Sequence, residues 1–127
     1  MRLLLRRDQR TGGVLGNKQI FVLNVRADIS AEERGAITKY QLGNCALYRR
    51  EDVRVEEVSA GGIAKAWVKH MLNLSVQVKD LVDGKTIECK DILEMLAVEE
   101  QLKEAGLAFV AMLRAAMHFG GEEVLEL

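Results

Sequence analysis

The side chains able to do nucleophilic or acid–base chemistry near neutral pH are few: two cysteines, Cys45 and Cys89, and two histidines, His70 and His118. Catalytic partners can be distant in sequence, so separation alone does not exclude a thiol–imidazole pair. Neither cysteine, however, stands at an expected helix start or among cations that would favour its thiolate. Cys89 also alternates in phase with Ile87, as a core residue of a strand does. Both thiols are therefore read as structural. His70 lies between Trp67 and Met71 on the inward face of an expected helix, the setting of a packed core histidine. His118 follows Arg114 by four residues, and its positive form would suit the negative end of a helix dipole.

Metal chemistry needs ligands at recognisable spacing, and the chain has neither Cys-x-x-Cys nor His-x-x-x-His. Glu94, Glu99, Glu100 and Glu104 share one expected helix, but Glu99 precedes Lys103 by four, the arrangement of a solvated helix surface. A phosphate loop is excluded by spacing: Gly12, Gly13 and Gly16 precede Lys18, but Gln19 and a strand pattern follow where a hydroxyl side chain and a helix are required. No catalytic residue, metal or cofactor is expected.

The remaining chemical signal is charge. From Met1 to Arg26, Arg2, Arg6, Arg7, Arg10, Lys18 and Arg26 face Asp8 alone, whereas Asp80 to Leu127 carries eleven carboxylates against Lys85, Lys90, Lys103 and Arg114. Such asymmetry suits either two halves of one fold that attract each other or a basic arm for a polyanion. In the second case Arg2, Arg6, Arg7 and Arg10 would follow a phosphate backbone, since two-stranded ribbons do enter grooves. Phe21 is the one aromatic there to stack on a base. With a net charge of −1 for the chain, nucleic-acid binding is the alternative rather than the leading expectation.

These groups must be positioned by the elements the pattern implies. Arg2 to Arg7 and Lys18 to Arg26 read as strands of a hairpin. Ser30 and Glu33 form a capping box for a helix from Ala31 to Tyr40, with Ala36, Ile37 and Tyr40 inward. Cys45 to Tyr48 and Val53 to Val58 suggest further strands. Ile63, Ala66, Trp67, His70 and Met71 fall on one side of a helical wheel, predicting a short helix after the flexible Ser59–Gly62 stretch. Leu74, Val76 and Val78 alternate as a strand with one buried face, and Val82-Asp83-Gly84-Lys85 offers a tight turn into a return strand from Lys85 to Cys89. Glu122 to Leu127 would be an edge strand or a loose tail.

The longest pattern runs from Asp91 to Phe119. Asp91 caps it, with Glu94 placed to reach back, and Gly120 and Gly121 stop it. Met95, Val98, Leu102, Ala105, Phe109, Met112 and Ala116 recur at steps of three and four. Leu107, Val110, Leu113 and Met117 widen that seam, and Arg114 is the only charge between Gly106 and Met117. A helix of roughly 27 residues is about 40 Å long, somewhat more than a globule of this size spans, so it bends at Gly106 or projects an apolar end.

The chain length suits a single domain, and 49% hydrophobic with 29% charged residues is the balance of a soluble globular protein. The expected fold is α+β: an antiparallel or mixed sheet of four to six strands, helices on one face, and a dominant C-terminal helix in one domain over residues 1–127. No run of residues is long and apolar enough to suggest a membrane span or a signal peptide, and two distant cysteines suggest no disulfide framework, which favours the cytoplasm. The expected role is non-enzymatic protein association, as a homodimer or an adaptor, through Leu107, Val110, Leu113, Arg114 and Met117. A small-molecule pocket near Trp67 and Tyr48 is a further alternative.

Overall fold

The computed structural model describes residues 1–12, 18–60 and 64–127, with the backbone alone at 52–60 and 64–73. Of the glycine-rich loop expected from Gln9 to Asn17, Gln9 to Gly12 are strand, paired with the strand that follows, and residues 13–17 lie outside the described residues, as do the glycines at 61 and 62. So do the side chains of Trp67 and His70.

Strand β1 (Arg2–Gly12) and strand β2 (Lys18–Asp28) pair antiparallel along their whole length, from Arg2 opposite Asp28 to Gly12 opposite Lys18. Strand β5 (Lys85–Cys89) joins the free side of β2, with Leu23 opposite Ile87, and completes a three-stranded sheet in the order β1-β2-β5. The alternation seen in the sequence then sorts the two faces. Leu23, Val25 and Ala27 with Ile87 and Cys89 enter the core. On the opposite face Asn24 donates to Asp8 at 2.8 Å and accepts from Thr86 at 2.9 Å, so its side-chain amide is satisfied where apolar cover is missing.

Helix α1 (Ala31–Lys39) begins as its sequence predicts: Ser30 Oγ accepts from the Glu33 amide and the Glu33 carboxylate accepts from the Ser30 amide, both at 3.1 Å. Ala36 and Ile37 pack against the core. The chain leaves through Gln41 in the left-handed region (φ 55°) and a 3-10 turn at Leu42–Asn44. Strands β3 (Ala46–Ala60) and β4 (Ala64–Gln77) then form a second, two-stranded antiparallel sheet. Leu47, Tyr48 and Val76 bring its base into the core.

Three expectations are corrected here. The strands form sheets of three and two, not one sheet of four to six. Of the segment expected as a helix from Ile63 to Met71, Ile63 lies outside the described residues and Ala64 to Met71 is strand within β4, where its backbone pairs with β3, Val53 opposite Met71 and Val55 opposite Lys69. A local helical spacing yielded to cross-strand pairing, which Trp67 and Val68 favour by residue type. Finally, β5 pairs with β2 and not with the strand before it. Val78 and Leu81 both turn inward, a spacing of three that closes a 3-10 turn at Val78–Leu81, fastened by Asp80 accepting from the Gln77 amide at 3.0 Å. That turn redirects the chain before Gly84, at φ +101°, admits it to β5.

Helix α2 (Ile92–Met117) is unbroken. It buries Met95, Val98, Glu99, Leu102, Gly106, Phe109 and Leu113, so the core seam runs through Leu113 and leaves Met112 outward. Gly106 is a point of close approach: a Cβ there would stand 3.2 Å from a Leu3 methyl on β1. The architecture is α+β with antiparallel sheets and a long C-terminal helix. The Glu122–Leu127 tail is exposed and, among the described residues, pairs with no strand. Among the described residues no helix is long and apolar enough to cross a membrane.

Candidate functional site

Asp91 begins α2 by accepting from the Glu94 amide at 2.7 Å. The Glu94 carboxylate goes elsewhere, accepting from Arg50 Nη1 at 2.9 Å and tying α2 to β3. With its inward face fixed by the core seam, the helix turns a second row to solvent. Leu93, Leu96 and Leu107 are 78%, 51% and 66% exposed, and Glu100 and Lys103, also exposed, stand between them. A solvent-facing helix stripe of this kind normally carries charge, so three uncovered leucines in one row are the least expected feature of the surface.

The residues expected to form an association surface are divided by the fold. Leu107 is exposed, and Val110 and Met117 are half-buried, Met117 resting against the core. Arg114 is exposed and ion-paired with Glu123. Leu113, 1% exposed, is covered by its own chain and offers a partner nothing. Sequence reasoning passed over Leu93 and Leu96 because it followed the stronger inward seam. Their signal is nonetheless present: 93, 96, 100, 103, 107 and 110 repeat by three and four as regularly as the core positions do.

The basic hairpin is largely neutralised from within. Arg2 pairs with Asp28, Arg6 with Asp8 at 3.2 Å, Arg7 with Glu99 at 2.6 Å, and Arg10 with Glu88. Two of these contacts join the basic amino-terminal part to the acidic carboxy-terminal part. Hydrogen bonding to Glu99 raises the Arg7 pKa, and hydrogen bonding to Arg2 lowers that of Asp28. Glu99, expected on the solvated face beside Lys103, is instead buried against Arg7.

The thiols do not meet. Cys89 is buried, and desolvation first, with Glu94 adding to it, holds its pKa above the ordinary thiol value. Cys45 is half-buried at the entry to β3. Among the described residues no three potential ligands gather to hold a metal ion. A cleft of about 530 Å³ lies between α1 and the two 3-10 turns, floored by Ile29, Ile37 and Val78 and rimmed by Arg34, Lys79 and Asp83. No family model, curated protein or solved structure matches this chain.

Proposed function

We propose that this chain is a non-enzymatic module that works by protein association, as a homodimer or as an adaptor, through the outward row of α2. The observation that carries the reading is the exposure of Leu93, Leu96 and Leu107 on one face of a helix whose other face is fully used by the core. Apolar side chains grouped in a row gain free energy when covered, at about 25 cal/mol per Å² removed from water. Arg114 and the half-buried Val110 and Met117 continue the row toward the helix end. Sedimentation equilibrium of the wild type and of Leu96→Glu/Leu107→Glu at tens to hundreds of micromolar tests this. Wild-type self-association lost in the variant is expected. A wild type that stays monomeric and binds no other protein through this face overturns the reading.

Nucleic-acid binding through Arg2, Arg6, Arg7 and Arg10 has less support, because each guanidinium already faces a carboxylate that phosphate would have to displace. Salt-dependent retention on DNA or RNA that survives Arg6→Glu/Arg7→Glu/Arg10→Glu discards it. For a small molecule, the cleft beside α1 has the better claim, since its volume and apolar floor fall within the range of ligand sites.

A further inference from the structure

The outward row of α2 has an internal symmetry that specifies its partner. Positions 93, 96, 100, 103, 107 and 110 carry Leu, Leu, Glu, Lys, Leu and Val, spaced alternately by three and four. This is the seam of a two-stranded coiled coil, in which such a row stays in register with a facing helix. Read from either end it has the same character: two apolar residues, a charge, the opposite charge, two apolar residues. A two-fold axis through an interface makes residue i meet residue j while j meets i. If two copies of α2 lie antiparallel about the midpoint between Glu100 and Lys103, Leu93 faces Val110, Leu96 faces Leu107, and Glu100 faces Lys103, each twice.

We propose that the occupant of this face is a second copy of the same chain, with the two α2 helices antiparallel about that axis. The inference rests on the association reading above and adds the partner, the direction and the register. Charge decides the direction. A parallel, in-register pair would set Glu100 against Glu100 and Lys103 against Lys103 at the centre of the seam, whereas the antiparallel pair makes both central contacts attractive. Among the described residues neither Glu100 nor Lys103 has an ion pair, so both side chains are available. Among the described residues the face is also left open, with Leu93, Leu96 and Leu107 exposed: β1 approaches the helix on the side of Glu99 and Gly106, through Arg7 and Leu3.

Charge reversal tests the arrangement without disturbing the fold, because both residues are exposed. Sedimentation equilibrium would compare the wild type, Glu100→Lys, Lys103→Glu, the double variant, and a one-to-one mixture of the two single variants. The wild type is expected to dimerise, each single variant to lose about tenfold or more in dimerisation constant as both central contacts turn repulsive, and the double variant to recover. The mixture should form a heterodimer, since each chain then offers the charges its partner lacks. A wild-type dimer indifferent to both single reversals overturns this register while leaving association in place. A wild-type monomer at hundreds of micromolar overturns the homodimer outright.

Discussion

At the scale of single residues, burial decides which groups are chemically available. Cys89 is enclosed by the core and its thiol is held protonated by desolvation, whereas Cys45 is only half-covered. A thiol reagent applied to the native protein should therefore modify Cys45 well before Cys89, and Cys89 should react at the rate of unfolding. Equal labelling in the absence of denaturant would contradict its placement. Glu33 provides a pH signature. Hydrogen bonding to the amino terminus, with the Ser30 contacts, lowers its pKa from the ordinary 4.5. A carboxylate with a depressed folded pKa stabilises the fold above that ordinary value, and the stabilisation fades as pH falls through the lowered one. Acid thermal scans should show a steeper loss for the wild type than for Glu33→Gln. Arg7 and Arg10 both hold carboxylates, but only Glu99 is buried. Arg7→Leu should thus lower the melting temperature more than Arg10→Leu, by stranding a charge away from water.

Among the elements, α2 depends on its cap, its seam and one glycine. Asp91→Ala removes the acceptor for the Glu94 amide and should cost about 1 kcal/mol, and Ser30→Ala should do the same to α1. Leu102, with no exposed surface, should cost roughly 2–5 kcal/mol when cut to alanine. Leu93→Ala, on the outward row, should leave denaturant stability of the monomer nearly unchanged. Gly106→Val drives methyl groups toward Leu3 where even a Cβ is a close contact, so a loss of about 1–3 kcal/mol is expected by urea titration. A neutral result would mean that β1 does not press on the helix at that point.

For the molecule as a whole, one cluster of buried side chains draws on both sheets, the 3-10 turn at Val78–Leu81 and α2, with α1 packed at its margin. Because Leu47, Tyr48 and Val76 anchor the two-stranded sheet in that same cluster, the described parts should melt in one transition, with calorimetric and van't Hoff enthalpies in agreement. Two separate transitions would mean that the β3–β4 ribbon melts apart from the rest. At this scale, too, the opposed charges of the chain's ends find their use, through Arg7 with Glu99 and Arg10 with Glu88.

Local chemistry determined a good deal by itself. The Ser30–Glu33 box, the Asp91 cap, the β1–β2 hairpin and the full length of α2 all depend on residues within a few positions of one another or on a repeat the helix itself imposes, and each was legible. Tertiary structure decided the rest. Whether Ala64 to Met71 coils or extends depends on the backbone groups that β3 presents to it, and whether Lys85 to Cys89 pairs with its predecessor or with β2 depends on a turn of four residues. Leu113 and Leu107 are equally apolar in sequence, but only packing within a core assembled from distant parts of the chain makes one core and the other surface. The direction of a side chain around a helix is set by its own repeat, while the direction of the core is set by everything the helix leans on.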